Sequence, residues 1–360
     1  MSVASTMQNI LFNKSLSQMV KGIRNHKSEN GGSRAAELEY ISKCLNEIKA
    51  ELKTNFPDIK AIAIQKLIYL QMIGYDIGSF AFHIIELMSS AWFGHKRIGY
   101  LAASISFTKD TDVILLTTHL FRKGFNSSQG GGPTSASMAV EGFQYETGAA
   151  ISCLANIVTP DLAQDLLSDV YTLMNSSRPY IRKKAVLVLL KIFKAWPNAL
   201  RLSFDRLKEK LNDENQGVVS AAVYVICELA SRNPKNYLSL APQFFKILTT
   251  SSNNWVLIKV VKLLGSLVPL EPRLAKKLTE PLTDIISTTP AKSLLYECVN
   301  TLLCGELRSK TVVRLCLEKL RNFIEDADQN REFTRHNRIA PSLLCVWHSC
   351  SNDEYLIRLV

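Results

Sequence analysis

Long hydrophobic runs are missing from this chain of 360 residues, and so is any C-x-x-C cysteine pair. The longest apolar stretches, such as Ala185 to Leu190, fall far short of the roughly 18 residues that a membrane-spanning helix needs. No basic segment precedes an apolar run and a cleavage site at the amino terminus, so we predict no secretory signal. Hydrophobic residues make up 47% of the chain, which predicts a soluble, folded protein.

Metal-binding and disulfide patterns are also absent from the sequence. The eight cysteines fall mostly in apolar helical patterns, which is typical of reduced core residues. A late group of His336, Cys345, His348 and Cys350 has spacings that fit no ordinary zinc site. We therefore predict no metal and no cofactor.

The patterns that catalysis needs do not occur either. The sequence has no H-E-x-x-H, G-x-S-x-G or H-R-D motif, each of which places a nucleophile or acid–base group in a supporting context. His83, His95 and His119 lie in or beside helical patterns, where packing or surface roles are expected. The three glycines at 130–132 are not followed by G-K-[ST], which excludes a phosphate-binding loop. We predict that the protein is not an enzyme.

Aromatic residues are scarce, at 8% of the chain, and they do not alternate with basic residues as a base-stacking surface requires. The net charge of +11 still predisposes the chain to an acidic partner, an anionic membrane or nucleic acid. Without interleaved aromatics, we expect no binding of nucleic acid.

What the sequence does contain is an internal repeat. The segments around Val186, Val223, Val260 and Val299 align with one another at steps of 37, 37 and 39 residues, close to the period of about 40 for HEAT or armadillo helix pairs. Pro, Asn or Gly separates the helical patterns within each repeat. Stacked pairs of this kind predict an all-α fold, a curved right-handed α-solenoid with an extended binding surface and no enclosed cleft.

The same helical pattern continues toward the amino terminus. One amphipathic helix is predicted from its apolar spacing, at Leu38, Ile41, Leu45, Ile48 and Leu52. Gly74 is a predicted helix stop, and Gly99, Ala102 and Ala103 would let neighbouring helices approach closely. Two segments rich in Gly and Ser, 28–35 and 126–142, predict flexible loops.

Basic residues concentrate at three places. Lys21, Arg24 and Lys27 form one stripe of a predicted helix, beside an apolar stripe of Leu16, Val20 and Ile23. A second group, with no acidic residue among them, consists of Arg178, Arg182, Lys183, Lys184, Lys191 and Lys194. The third lies at 271–278. For most of these basic residues we predict a solvent-exposed helix face. The alternative is that they contact acidic partner subunits or anionic lipid.

Several segments of the sequence resemble one protein family: GIRNHK, KRIGYLAAS, TPDLAQDL, RPYIRKKAVL, VICELASRNPKNYLSLAPQFFKILT, NNWVLIKVVKLLGSLVPLEPRLAKKLTEPL and LLYECVNT. Together they closely resemble the amino-terminal trunk of the delta-adaptins, large chains of the third heterotetrameric adaptor protein complex. The resemblance covers residues 1–330 as one trunk domain, from about residue 12, with insertions near 28–35 and 126–142. Residues 331–360 form an atypical tail, for which we expect a truncated or misassembled gene product.

The resemblance implies an α-solenoid that wraps a small sigma subunit and packs beside a beta large chain and a medium mu chain. It implies a non-catalytic scaffold that sorts cargo proteins from Golgi or endosomes toward lysosomes or vacuoles. Such a scaffold works in the cytoplasm, peripherally on Golgi and endosomal membranes, where an Arf-family small GTPase and anionic phosphoinositides recruit it. The repeats alone would also fit a nuclear transport receptor, a general assembly scaffold or, more distantly, an RNA-binding solenoid.

The resemblance also implies roles for three residues. Arg24 occupies the place of an arginine that, with the sigma subunit, helps to bind the acidic residue upstream of a cargo dileucine signal. A guanidinium suits a carboxylate because two of its N–H groups can donate parallel hydrogen bonds to both carboxylate oxygens. Lys60 and Lys66 lie on the helix that matches a phosphoinositide contact in alpha chains, so by resemblance we expect them to contact the membrane.

Overall fold

The structure, a computed structural model, describes residues 15–29, 34–126, 138–304 and 310–324. Within these ranges the regular elements are sixteen α-helices and some short 3-10 helices, and no strand occurs. The all-α prediction is therefore confirmed. The chain divides into two compact units, Met1–Val218 and Val219–Val360.

Ten helices lie in the first unit: α1 (Leu16–Glu29), α2 (Arg34–Leu52), α3 (Pro57–Met72), α4 (Ala81–Met88), α5 (Phe93–Ser106), α6 (Thr117–Asn126), α7 (Met138–Ile157), α8 (Pro160–Met174), α9 (Pro179–Ala195) and α10 (Asn198–Glu209). In this unit α3, α5, α7 and α9 pack successively against one another and form one layer. A second layer contains α6, α8 and α10, in which α6 packs on α8 and α8 on α10. Packing of next-but-one helices in two layers is the arrangement of stacked helix pairs.

The second unit holds the remaining helices: α11 (Gln216–Ala230), which begins at the end of the first unit, α12 (Ala241–Thr250), α13 (Asn254–Leu267), α14 (Pro272–Thr288), α15 (Lys292–Cys304) and α16 (Lys310–Ile324). Here α13 packs against α15, while α12 packs on α13 and α14 on α15. Both units are therefore built from helix pairs, as predicted for an α-solenoid.

The repeat that the sequence shows corresponds to equivalent core positions. Val186, Val223, Val260 and Val299 lie on α9, α11, α13 and α15, and each is at most 1% exposed. A single helix cannot cover such side chains, and packing against neighbouring helices removes them from water. Burial of an equivalent valine in each pair explains why the repeat is visible as an apolar pattern.

Local sequence signals set the ends of several helices. Proline occupies the first position of α3, α8, α9 and α14, where its missing N–H costs nothing. The Thr159 hydroxyl accepts a hydrogen bond from Leu162 N–H at 3.3 Å and caps α8. After α3, Gly74 adopts a φ of +102°, which a side chain would disfavour. The predicted helix stop at Gly74 is therefore confirmed.

Small residues bring α4 and α5 close together, as the sequence predicts. A Cβ on Gly99 would lie 2.7 Å from the backbone nitrogen of Met88, and backbone cannot move aside as a flexible side chain can. Ala102 and Ala103 are fully buried on the same helix. The glycine is thus required by the packing of the two helices.

The predicted apolar stripe of α2 is partly wrong. Ile41, Ile48 and Leu52 are buried, but Leu38 is 47% exposed, and the stripe is completed by buried Cys44. The buried positions are spaced by three, four and four residues, so the helix turns its core face slightly away from Leu38. Helix structure also enters the predicted loops, because α1 runs to Glu29, α2 begins at Arg34 and α7 begins at Met138. The rest of those loops, and the predicted tail, lie outside the described residues.

No helix among the described residues is long and apolar enough to cross a lipid bilayer.

Candidate functional site

Arg24 projects from the outer side of α1. Met19 and Ile23 are buried and Leu16 and Val20 half-buried, whereas Arg24 is exposed. Lys21 is exposed on the same helix, and the side chain of Lys27 is outside the described part. The predicted division of α1 into an apolar and a basic stripe is confirmed for the residues described.

Contacts with α2 fix the position of α1. The His26 ring stacks on Tyr40 with centroids 4.4 Å apart, and its Nδ1 lies 2.8 Å from the carbonyl oxygen of Gly22. The Tyr40 hydroxyl passes so close to Gly22 that a Cβ there would lie 2.0 Å from it. Gly22 and His26 therefore hold the helix that presents Arg24, a role that the sequence pattern does not reveal.

The Arg24 guanidinium makes no hydrogen bond or ion pair with any described residue. An exposed guanidinium with all five N–H donors available can hold a carboxylate through two parallel hydrogen bonds. This geometry is compatible with the role predicted for Arg24, and that role stays a prediction.

Lys60, the second predicted site residue, is half-buried near the start of α3. Its ammonium pairs with the Glu86 carboxylate at the end of α4, and the hydrogen bond from Lys60 lowers the pKa of Glu86 below its ordinary value. A lipid phosphate would have to compete with Glu86 for this ammonium. The structure thus places Lys60 at the surface but already paired.

Lys66 does not suit the membrane contact that we expect of it. Its side chain is 3% exposed, and the ammonium donates to both Glu51 carboxylate oxygens at 2.6 and 2.8 Å. The pair joins α3 to α2 inside the core. Burial keeps this ammonium away from any lipid headgroup, so the structure gives Lys66 a packing role, which corrects the expectation.

A pocket of about 500 Å³ lies beside Lys60, and sequence reasoning misses it. The ends of α3, α4 and α5 meet there, and its lining includes Asp58, Glu86, Trp92 and His95. His95 is buried, with Nε2 3.0 Å from Asp58 Oδ1, and the exposed Trp92 ring packs edge-on against it at 4.5 Å. The signal in the sequence is weak, because these residues come from three helix ends.

The same pocket contains a serine, a histidine and an aspartate without the geometry of a catalytic triad. Ser90 Oγ lies 3.5 Å from His95 Nδ1, at the limit of a hydrogen bond, and it accepts a bond from Trp92 N–H. The Asp58 side chain is 85% exposed, so water competes for its carboxylate. His95 therefore has the packing role that the sequence predicts, and the pocket offers paired ions and an aromatic ring for binding.

The structure separates the six basic residues of 178–194 into different environments. Arg182 donates two hydrogen bonds to Asp213 at 2.8 and 2.9 Å, and these bonds hold the pKa of Asp213 below its ordinary value. Lys184 is half-buried against α7, whereas Lys183, Lys191 and Lys194 are exposed. The solvated face that the sequence predicts for most of these positions fits Lys183, Lys191 and Lys194, whereas Arg182 and Lys184 contact neighbouring residues.

The described cysteines are core residues. Cys44, Cys153, Cys227, Cys298 and Cys316 are buried and form no disulfide, and burial raises the pKa of the Cys153 thiol to about 12. Such thiols are poor metal ligands and poor nucleophiles at neutral pH. Among the described residues no group of His, Cys, Asp and Glu is arranged to hold a metal ion. The histidines and cysteines of the predicted tail lie outside the description.

Comparison with known families identifies the fold seen here. A family model described as the adaptin N terminal region matches residues 37–339. The chain belongs to the adaptin family. This assignment confirms the predicted family and the prediction that the chain is not an enzyme. The match begins after Arg24 and ends nine residues beyond the predicted domain boundary at 330.

Several of the relatives that this chain matches are delta chains. The chain is 54% identical over 330 residues to AP-3 complex subunit delta-1 of Bos taurus, and 48% identical over 324 residues to AP-3 complex subunit delta of Dictyostelium discoideum. Each alignment covers 90% of this chain and 26% of the relative. AP-1 complex subunit gamma of Dictyostelium discoideum is 23% identical over 347 residues, again 90% of this chain.

A structural neighbour supports the same family. A homology model of the full-length AP-3 complex in an intermediate open conformation contains a chain that superposes on this adaptin with a TM-score of 0.62 and 37% identity. The match covers 84% of this chain and 53% of the neighbour. Against the two delta relatives named above, this adaptin spans about a quarter of their length.

Proposed function

We propose that this adaptin is the trunk portion of a delta-type large subunit in a vesicle-coat adaptor complex, where it acts as a non-catalytic scaffold. The observation that carries the proposal is the difference between two relatives from one organism. Over the same share of this chain, the delta chain of Dictyostelium discoideum is 48% identical and the gamma chain 23% identical.

In this role the chain associates with sigma, beta and mu adaptor subunits and takes part in transport from Golgi or endosomes to lysosomes or vacuoles. It works in the cytoplasm, peripherally on Golgi and endosomal membranes, with recruitment by an Arf-family small GTPase. The helix pairs within each unit support a scaffold, because stacked repeats of this kind are typical of proteins that bind partners along their surface.

Arg24 is the proposed receptor for the acidic residue of a cargo dileucine signal. The support is its exposure, its unoccupied guanidinium and the fixed position of α1 against Tyr40. A carboxylate held by two charge-assisted hydrogen bonds gains more than one held by an ordinary surface ion pair. Lys60 remains the proposed membrane contact, if an anionic headgroup displaces Glu86.

The test uses the chain in complex with its cognate sigma subunit. Binding of a labelled acidic dileucine peptide to this complex is measured by fluorescence anisotropy. We expect Arg24→Ala to weaken the peptide about tenfold or more, because a hydrogen bond to a charged group contributes about 1.5–3 kcal/mol. Lys21→Ala is the matched control, since Lys21 is an exposed cation on the same helix and pairs with no residue that the structure describes.

Two results would distinguish a wrong adaptor proposal from a wrong assignment of Arg24. Failure of the chain to bind the sigma subunit would refute the adaptor proposal. Normal sigma binding with equal peptide affinity in wild type and Arg24→Ala would refute only the assignment of Arg24.

A further inference from the structure

The surface shared by α7 and α9 carries two tyrosines beside a half-buried lysine. Tyr145 on α7 is 54% exposed and Tyr180 on α9 is 37% exposed, with ring centroids 5.8 Å apart. Lys184 lies one helical turn beyond Tyr180, and its Nζ is 5.5 Å from the centroid of that ring. Leu187 and Lys191 continue the same exposed face of α9 at helical spacing. These five residues are called the tyrosine–lysine surface below.

Half-buried Lys184 differs from the two buried lysines of the first unit, Lys66 and Lys96, in having no carboxylate partner among the described residues. Its ammonium donates a hydrogen bond to the Ser152 hydroxyl of α7, a neutral partner. Burial lowers the pKa of Lys184, and no acidic side chain offsets that effect. By contrast, Lys66 pairs with Glu51 and Lys96 with Glu146. A partly desolvated charge without a counter-charge costs free energy that the chain itself does not recover.

The two helices are shaped to present this arrangement. Gly148 on α7 lies under the Tyr180 ring, and a Cβ there would be 2.5 Å from Tyr180 Cε1. The ring can therefore lie against the α7 backbone, and Lys184 is recessed between the ring and Ser152. The seventeen residues of α9 include no Asp or Glu and five basic residues, so the helix itself carries a net positive charge.

We propose that the tyrosine–lysine surface binds a partner protein, whose acidic side chain pairs with Lys184 while apolar groups pack on Tyr145 and Tyr180. A partner carboxylate would supply the counter-charge that the chain lacks, through a charge-assisted hydrogen bond. Exposed tyrosines give a large contact area at little cost in conformational entropy and are enriched at binding hot spots. A single recessed ammonium can be reached by an extended acidic side chain of a partner protein. A flat membrane surface instead binds clusters of exposed lysines.

The probe is a fluorescein-labelled twelve-residue peptide of alternating glutamate and leucine, titrated with the full chain and followed by anisotropy. We expect Lys184→Met to weaken binding about tenfold or more, the loss of one hydrogen bond between charged groups. Lys184→Arg should retain most of the affinity, and Tyr180→Ala should lose part of it. Lys183→Met removes the same charge one position earlier, on a different side of the helix, and should bind as wild type does.

The stability of α9 provides a second measurement. If Lys184 had a purely structural role, Lys184→Met would destabilise α9, whereas the proposal predicts no loss of stability. Lys184→Met removes a half-buried charge but keeps an apolar side chain of similar length, so hydrogen exchange in α9 should not become faster. Slower or unchanged exchange together with weaker peptide binding is the expected result. Faster exchange in α9 of Lys184→Met would contradict the proposal, because it would show that the chain already compensates the charge.

Other outcomes overturn the proposal directly. The proposal would be wrong if the peptide bound wild type and Lys184→Met equally or did not bind at all. It would also be wrong if the peptide bound no better than a peptide of alternating lysine and leucine. Binding that depends on Lys184 only with phosphatidylserine vesicles or with oligouridylate would show that the partner is not a protein. Peptide affinity that falls in Arg24→Ala but not in Lys184→Met would place the peptide at the proposed dileucine site and would also overturn this proposal.

Discussion

Removing the Lys66 ammonium is expected to destabilise the first unit strongly. The side chains of Lys66 and Glu51 are 3% and 5% exposed, and hydrogen bonds of 2.6 and 2.8 Å occupy both oxygens of Glu51. In Lys66→Met the methionine fills similar space, so the main loss is the counter-charge of a buried carboxylate. Breaking such a pair from one side costs about 3–5 kcal/mol.

Two variants separate the effect of an unpaired buried charge from that of losing a lysine. Lys43 and Glu39 form a pair on the surface of α2, with side chains 66% and 70% exposed, and pairs of this kind contribute about 0–1 kcal/mol. Lys43→Met is therefore the control and should change little. The double variant Lys66→Met with Glu51→Leu removes both charges and should recover most of the stability, because apolar residues replace buried ion pairs at little cost.

The assay is native-state hydrogen exchange with mass spectrometry on peptides from α2 and α3. Exchange suits this chain because its two compact units need not unfold in a single two-state transition. A loss of about 3–5 kcal/mol corresponds to a fall in protection of about two to four powers of ten. Equal protection in Lys66→Met and Lys43→Met would refute the reasoning, and so would a double variant no more protected than Lys66→Met.

Two further variants test packing and electrostatics. Gly99→Ala should destabilise the α4–α5 contact by up to about 2 kcal/mol, measured by hydrogen exchange, because overpacking costs about 1–3 kcal/mol and the better helix propensity of alanine offsets only about 1 kcal/mol of that. Increased protection would contradict the close approach to Met88. Asp213→Asn should lower the urea midpoint of the first unit at pH 7, because the pKa of Asp213 is held below its ordinary value of 3.8 by Arg182. This difference should be present above pH 3.8 and disappear as pH falls through the lower native pKa, and a difference that persists in acid would refute the assignment.

Much of the fold follows from local pattern, and the exceptions have physical causes. Val186 and Val260 are buried where the repeat predicts, because helix pairs must cover one apolar stripe each. Leu38 is exposed despite fitting the stripe of α2, since the pattern does not say which part of a broad stripe faces the neighbouring helix. The spacing of apolar residues along the sequence therefore predicts where helices form better than it predicts which side chains are buried.

The candidate sites were less predictable than the fold. The exposure of Arg24 follows from its place on the basic stripe of α1, beside the apolar stripe that contains buried Ile23. Lys66 is an equally basic residue, and only the approach of Glu51 from α2 makes it a core residue. The pocket beside Lys60 draws its lining from three helix ends, so no short sequence motif marks it.

By itself, the sequence determined the helical repeat, the absence of catalytic and metal-binding motifs, and the basic character of α1 and α9, because these depend on spacing along one chain. The tertiary structure decided which basic residues have partners. Arg182 meets Asp213 and Lys66 meets Glu51, whereas the polar partners of Lys184 among the described residues are a serine hydroxyl and a tyrosine ring. Whether a charge is compensated depends on side chains 15 to 32 residues away in the sequence, which are brought together only when the helices pack.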